Sequence, residues 1–333
     1  MILKQITIIS GFLFFLISYS YTILVPISIF SIDYFKKLAL KLGQYLSIEM
    51  FKGLNTKFYL NTNKYDIKMD ENPELVDIIV ANHISSCDYL LIISYLKYFN
   101  IDLFNFILKK EFCYYPGIGY IVYVNNHIKI SRSWEKDEDA IKKQLDVIKK
   151  DNKKKQVIII FPEGTRFTED KFKEGQQFSK DNNYPIFNNL LVPRTKGLWL
   201  LVNILKEKGI LGKIWDMTLI MPKNLGKSHF MKDIISKPIG KVFNYIKEIK
   251  LTRKYKNMEK FKLWFFNQWK KKDFIINNYK NIGFEEIIFK TDYFKIIFVI
   301  LTCLLFIYLL TTYYGLIYSV VSIIIAYLML FLL

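Results

Sequence analysis

Apolar residues are grouped along the chain in two ways. Residues 76–81 (VDIIVA) and 157–161 (VIIIF) are short, nearly unbroken aliphatic runs. That is the pattern of strands covered on both faces. Residues 103–108 (LFNFIL) and 217–221 (MTLIM) are further, weaker candidates of the same kind. From 134 to 150 the period changes: Ile141, Leu145 and Ile148 share one helical face, with lysines opposite. The polar run Asp151-Asn152-Lys153-Lys154-Lys155 then turns the chain into the next strand. Short strands alternating with a helical stretch predict an α/β domain: a mixed, mostly parallel sheet flanked by helices.

Two longer apolar stretches carry no charge at all. Residues 6–30 contain no Asp, Glu, Lys or Arg. As a helix they would extend about 37 Å, enough to cross a hydrocarbon core of roughly 30 Å with some tilt. A secretory signal would have a shorter apolar region, and Val25-Pro26-Ile27 is a poor cleavage site. Residues 296–333 are also uncharged, with Thr311, Thr312 and Gly315 near their middle. A turn there gives two tightly paired passes or a re-entrant hairpin. Lys36, Lys37 and Lys41 follow the first stretch, whereas only Lys4 and the amino terminus precede it. The positive side stays cytosolic. The expected organisation is an N-terminal membrane anchor (1–32), a cytosol-facing α/β domain (33–294, core 76–221) and a C-terminal transmembrane hairpin (295–333).

Composition narrows the classes. Hydrophobic residues make up 52% of the 333 positions, which excludes a disordered chain. The 48 basic against 30 acidic residues leave a net charge of +18. Beside two apolar stretches, that charge suits an anionic membrane surface, and nucleic-acid binding would rest on charge alone. Cys87, Cys113 and Cys303 match neither a disulfide framework nor a zinc pattern, so no metal site is expected. Residues 250–280 hold ten basic and two acidic side chains interleaved with Phe261, Trp264, Phe265, Phe266 and Trp269. This region suits a helix at the bilayer interface, or one that packs its aromatics onto the domain.

Two constellations carry chemistry, and each directly follows a strand. In the first, Asn82-His83-Ile84-Ser85-Ser86-Cys87-Asp88, Ser85 or Ser86 can cap a new helix. The turn then folds His83 back against Asp88. A carboxylate on one imidazole nitrogen fixes the tautomer and supports proton uptake at the other, which makes an alcohol nucleophilic. A chance spacing or a capping aspartate is the competing explanation. In the second, Phe161-Pro162-Glu163-Gly164-Thr165-Arg166, Gly164 permits a close backbone approach or positive φ, and Arg166 offers a planar fork to a phosphate. A tight turn with a surface arginine is the alternative. Strand ends are where α/β sheets place ligands.

As a set these blocks resemble the glycerolipid acyltransferases, the family that includes acyl-CoA:1-acylglycerol-3-phosphate acyltransferases. Matching segments follow in order: Asn82-His83 to Asp88; 119–137, ending in Ile130-Ser131-Arg132-Ser133-Trp134-Glu135-Lys136-Asp137; Phe161 to Arg166; and Val192-Pro193-Arg194-Thr195-Lys196-Gly197. Trp215-Asp216-Met217-Thr218 resembles a later element, and the likeness spans about residues 76–221. It is greatest to the eukaryotic branch with Pro-Arg-Thr-Lys-Gly and a C-terminal hairpin, which includes lysocardiolipin acyltransferases.

The resemblance implies the glycerolipid acyltransferase fold and the following roles. His83 is the general base on a lysophospholipid hydroxyl, with Asp88 orienting it. The oxygen attacks an acyl-CoA thioester with no acyl-enzyme, so Cys87 only packs. Arg132 and Arg166 hold the acceptor phosphate. Glu163, Gly164 and Thr165 shape the pocket, Pro193 lines a channel, and Arg194 contacts phosphate or CoA. The implied substrates are 1-acyl-sn-glycerol 3-phosphate and acyl-CoA, with no cofactor, at an endoplasmic-reticulum membrane. Other lysophospholipids (lysocardiolipin, lysophosphatidylinositol) and a catalytically silent adaptor binding anionic lipids are the alternatives. Lys109 and Lys110 either meet CoA phosphates or face solvent, with solvent the favoured reading, and His127 and His229 are expected to be structural or surface residues.

Overall fold

The computed structural model describes residues 32–62, 67, 72–114, 122, 125–131, 134–150, 155–222, 239–251, 257–290, 317 and 321. The charge-free stretches, and with them the anchor and hairpin expectations, lie outside these residues except for 317 and 321, as do Arg132 and His229. Among the described residues, no helix is long and apolar enough to cross a membrane.

Eight strands form one sheet. They are β1 (Lys57–Leu60), β2 (Val76–Ala81), β3 (Leu103–Lys109), β4 (Ile128–Ile130), β5 (Gln156–Ile160), β6 (Leu211–Ile220), β7 (Lys241–Glu248) and β8 (Glu285–Ile287). Their spatial order is β4-β3-β5-β2-β6-β7-β1-β8. The five from β4 to β6 run parallel, β7 opposes β6, β1 is parallel to β7, and β8 opposes β1. The sheet is therefore mixed and mostly parallel, as the apolar runs predict.

Every residue of β2 and of β5 is buried, because helices cover both faces. Side chains alternate between two cores. Ile79, Ala81, Val157 and Ile159 join the core of α1 (Ile32–Gly53) and α2 (Asp88–Tyr98). Val76, Ile78, Val80, Ile158 and Ile160 join the opposite core. That core is built with α3 (Trp134–Lys150), α5 (Thr195–Glu207) and α6 (Met258–Asn277). One further helix, α4 (Glu169–Asp181), follows β5; Thr168 caps it by accepting the Lys171 N–H.

The boundaries differ from the sequence pattern where tertiary pairing decides them. The 217–221 run is only the end of β6, which is extended back to Leu211 by pairing with both β2 and β7. Phe161 falls just outside β5, in the turn that carries the second constellation. In α6 the five aromatic side chains Phe261, Trp264, Phe265, Phe266 and Trp269 are all buried. Of the two expectations for this region, packing onto the domain is the one found.

One buried charge braces the far end of the sheet. Asp77, fully buried in β2, accepts the Lys213 N–H at 2.7 Å and the Trp215 indole N–H at 3.2 Å, and pairs with Lys155 Nζ at 2.8 Å. Gly212 leaves room for it, since a Cβ there would come 2.1 Å from Asp77 Oδ1. Gly212→Ala should push the carboxylate off its donors and destabilise the fold by about 2 kcal/mol, the usual loss for a disturbed buried polar group. A thermal melt beside wild type measures this, and an unchanged melting temperature would contradict it.

Candidate active site

The parallel strands bring two loops to the same sheet edge. Residues 82–88 leave β2 and residues 161–166 leave its neighbour β5, with the end of β6 on the other side of β2. Asn82 carries the pairing one step past the strand: its Nδ2 donates to Leu219 O at 2.9 Å and its Oδ1 accepts Leu219 N–H at 2.8 Å. His83 therefore starts from a backbone fixed to β6.

Asp88, wholly buried at the first position of α2, reaches back over the turn. A single oxygen, Oδ2, accepts three donors: Ile84 N–H at 2.6 Å, Ser85 N–H at 2.8 Å and His83 Nδ1 at 2.9 Å. Two of these are backbone amides, which can only donate, so Oδ2 is an acceptor and Nδ1 bears the proton. In the neutral imidazole Nε2 then keeps its lone pair. The His83 side chain is one-quarter exposed, and its ring stacks on Phe161 with centroids 4.5 Å apart. Neither Ser85 nor Ser86 is the helix cap. Cys87 occupies that position and its side chain makes no capping hydrogen bond to the helix, and Ser85 Oγ accepts the Cys87 N–H. The Cys87 thiol is buried, and burial followed by the nearby Asp88 charge pushes its pKa up to about 12. It is unsuited to nucleophilic work.

The second loop grips the first. Glu163 Oε1 accepts the His83 N–H at 3.0 Å, and Phe167 N–H donates to His83 O at 2.7 Å. Both backbone groups of the histidine are thus held from the opposite strand. Glu163 is 2% exposed, and burial foremost raises its carboxyl to about 8; the His83 N–H and the Lys272 cation oppose that rise, and the Asp88 charge adds to it. At neutral pH the carboxyl is mainly uncharged. Gly164 takes φ +68°, the left-handed region that glycine enters without strain. A Cβ on it would also stand 3.2 Å from Arg194 Cδ, so the bare glycine lets that side chain lie across the turn. Arg194 N–H donates to Pro162 O at 2.7 Å, which docks the 191–194 loop beside the turn.

The structure thus brings together His83, Asp88, Glu163, Gly164, Arg166 and Arg194. Arg166 Nη1 donates to Ser86 Oγ, which sets its guanidinium against the His83 loop. Thr165 is half-buried within the turn, and Pro193 is buried behind Arg194. Arg132 is outside the described residues. The preceding Ser131 donates from both N and Oγ to Asp137 Oδ1, at 2.6 and 2.8 Å, where the chain leaves β4. His127 is buried and accepts the Phe106 N–H through Nδ1, a structural role, while Lys109 and Lys110 are exposed.

Sequence reasoning missed Phe161 as the platform under the imidazole, having placed it in the strand. It also missed the supports from α6. Asp273 accepts the N–H groups of Asn188 and Asn189, each at 2.8 Å, and Trp269 Nε1 donates to Leu191 O at 3.0 Å. These contacts join residues 78 to 85 positions apart, so no local motif announces them. Among the described residues, no group of three or more His, Cys, Asp or Glu side chains is placed to hold a metal ion.

Comparison with known proteins agrees with this architecture. Residues 70–198 match the family model described as Acyltransferase. The chain is 27% identical over 272 residues to the probable 1-acyl-sn-glycerol-3-phosphate acyltransferase 5 of Arabidopsis thaliana, covering 80% of this chain and 70% of that protein. It is 27% identical over 240 residues to 1-acyl-sn-glycerol-3-phosphate acyltransferase delta of Bos taurus, with 71% and 60% covered. A shorter match, 34% over 117 residues, is to 1-acyl-sn-glycerol-3-phosphate acyltransferase 2 of Arabidopsis thaliana, with 35% of this chain and 29% of that protein covered. Both chemical loops lie inside the segment that matches the Acyltransferase model, and the sequence likeness to 1-acyl-sn-glycerol-3-phosphate acyltransferases extends beyond that segment.

Proposed function

We propose that this chain is an acyl-CoA-dependent acyltransferase that acylates the sn-2 hydroxyl of 1-acyl-sn-glycerol 3-phosphate to give phosphatidic acid. The observation that carries the reading is the His83–Asp88 pair, its Nδ1 fixed and its Nε2 left as a base at a sheet edge flanked by Arg166 and Arg194. The printed names of the relatives supply the acceptor class. Nε2 takes the hydroxyl proton as the oxygen attacks the thioester carbonyl carbon. The C–S bond breaks, and the departing CoA sulfur receives the proton from the imidazolium. Asp88 steadies that imidazolium, and no residue is acylated. Arg166, joined by Arg132 and Arg194, grips the acceptor phosphate, while Glu163, Gly164, Thr165 and Pro193 shape the pocket. The uncharged stretches at 6–30 and 296–333 and the +18 charge support a membrane-bound enzyme whose catalytic domain faces the cytosol; the endoplasmic reticulum as its site is what the family resemblance implies.

The test is acyl transfer by membranes holding the full chain, with labelled oleoyl-CoA and a panel of lysophospholipids. Lysophosphatidic acid should be the preferred acceptor; preference for another lysophospholipid would reassign the substrate and leave the chemistry. His83→Ala should cut kcat by about 10²-fold or more, the usual worth of a positioned base, and undiminished transfer would refute the mechanism. Arg166→Ala should raise the acceptor KM by roughly tenfold to a hundredfold, since a charge-assisted hydrogen bond contributes about 1.5–3 kcal/mol. A change confined to the acyl-CoA KM would move Arg166 to the donor side.

Glu163 gives a pH prediction. Its carboxyl is raised to about 8 in the fold, from 4.5 when free, so folding takes up a proton between those values. Its contribution to stability is full below the lower value and is lost as pH rises through the higher one. Glu163→Gln mimics the neutral carboxyl and still accepts the His83 N–H. It should keep kcat within a few-fold and gain stability relative to wild type as pH rises from 5 to 8. Thermal melts across that range measure the difference, and parallel melting curves would contradict it.

A further inference from the structure

The proposed chemistry makes no use of Lys272. It lies on α6, outside the segment matched by the family model, yet its side chain is 1% exposed. Its ammonium donates to Met217 O at 2.8 Å and Val80 O at 3.4 Å, and it pairs with Asp216 Oδ1 at 2.5 Å. Met217 is the partner of Ala81 in the β2–β6 ladder, and Val80 and Ala81 lead directly into Asn82 and His83. The cation thus bridges carbonyls of the two central strands where the catalytic loop departs. Asn82 makes the next link between the same strands, to Leu219.

A buried ammonium is strongly unfavourable unless its donors are answered, and a chain that needed only apolar packing here would gain by placing a methionine. The titratable groups acting on Lys272 are Asp216 from β6, Glu163 from the turn after β5, and Lys247 from β7. Of these, Glu163 holds the His83 backbone. The flanking Trp269 and Asp273 fix the 188–191 loop, so one turn of α6 supports both the end of β2 and that loop.

We propose that Lys272 is a positioning residue of the active site. Its grip on the Val80 and Met217 carbonyls fixes the end of β2, and with it the height and angle of the His83 imidazole. This inference rests on the reading of His83 as the base.

Three full-length variants in membranes test it, scored as kcat and KM per folded enzyme beside His83→Ala: Lys272→Met, Asp216→Asn, and the double variant. Lys272→Met should lower kcat by about tenfold or more with KM for both substrates within about twofold, because a misplaced base loses rate rather than binding. Asp216→Asn leaves the ammonium and both carbonyls in place, and should keep kcat within about threefold of wild type. The double variant has no unpaired buried charge. It should melt at a higher temperature than Lys272→Met while its kcat stays low, which separates positioning from stability. Wild-type kcat in the double variant, or a loss in Asp216→Asn equal to that in Lys272→Met, would overturn the proposal; if Lys272→Met does not fold, the kcat of the double variant decides it. Transfer that survives His83→Ala would overturn the parent reading instead, so the two failures are distinguishable.

Discussion

The site depends on one carboxylate oxygen. Asp88 Oδ2 takes two backbone amides and one imidazole nitrogen, all from the five residues before it. The amides belong to Ile84 and Ser85, so the carboxylate sets the turn and the imidazole direction in a single act. A side chain that only oriented His83 would leave the loop free to move, and one that only capped the helix would leave the imidazole free to rotate. The carboxylate is wholly buried, where such charge-assisted bonds are stronger than in water and an unanswered one is correspondingly expensive. Displacing any of the three donors therefore disturbs the other two.

The oxygen acts on a platform that is itself fixed at a distance. Asn82 splices the end of β2 to Leu219, Glu163 and Phe167 hold the backbone of His83 from the β5 side, and Phe161 supports the ring. Parallel pairing is what allows this: neighbouring strands finish at one edge, so two loops separated by about eighty positions in sequence meet there. The neutral character of Glu163 fits the same logic. A charged carboxylate this close to Asp88 would add a second buried anion beside the imidazole, and burial avoids it by holding the proton.

Much of this was legible beforehand, and its limits are physical. Strands β2 and β5 and helix α3 declare themselves because burial on two faces, or amphipathic spacing, acts on each residue locally. The pairing of His83 with Asp88 is also local, five positions across a turn. Strands β1, β4, β7 and β8 do not declare themselves, because each owes its existence to its neighbours: β4 is three residues long, and β1 is four residues long and lies between β7 and β8. Ser86 as the partner of Arg166 was hidden for a similar reason, since serine is read first as a helix cap.

Helix α6 shows why composition can mislead. The ten basic residues of 250–280, five of them in α6, with interleaved tryptophan and phenylalanine describe an interfacial helix as well as they describe a packed one. Periodicity decides between them only when the charged residues are known to lie outward, and Lys272 and Asp273 do not. Both point inward, where one meets strand carbonyls and the other a loop's amides. In a sequence they look like two more polar positions on a solvated face. In the fold they turn a helix far from the chemical motifs into the support beneath them, and only the destination of each buried hydrogen bond reveals it.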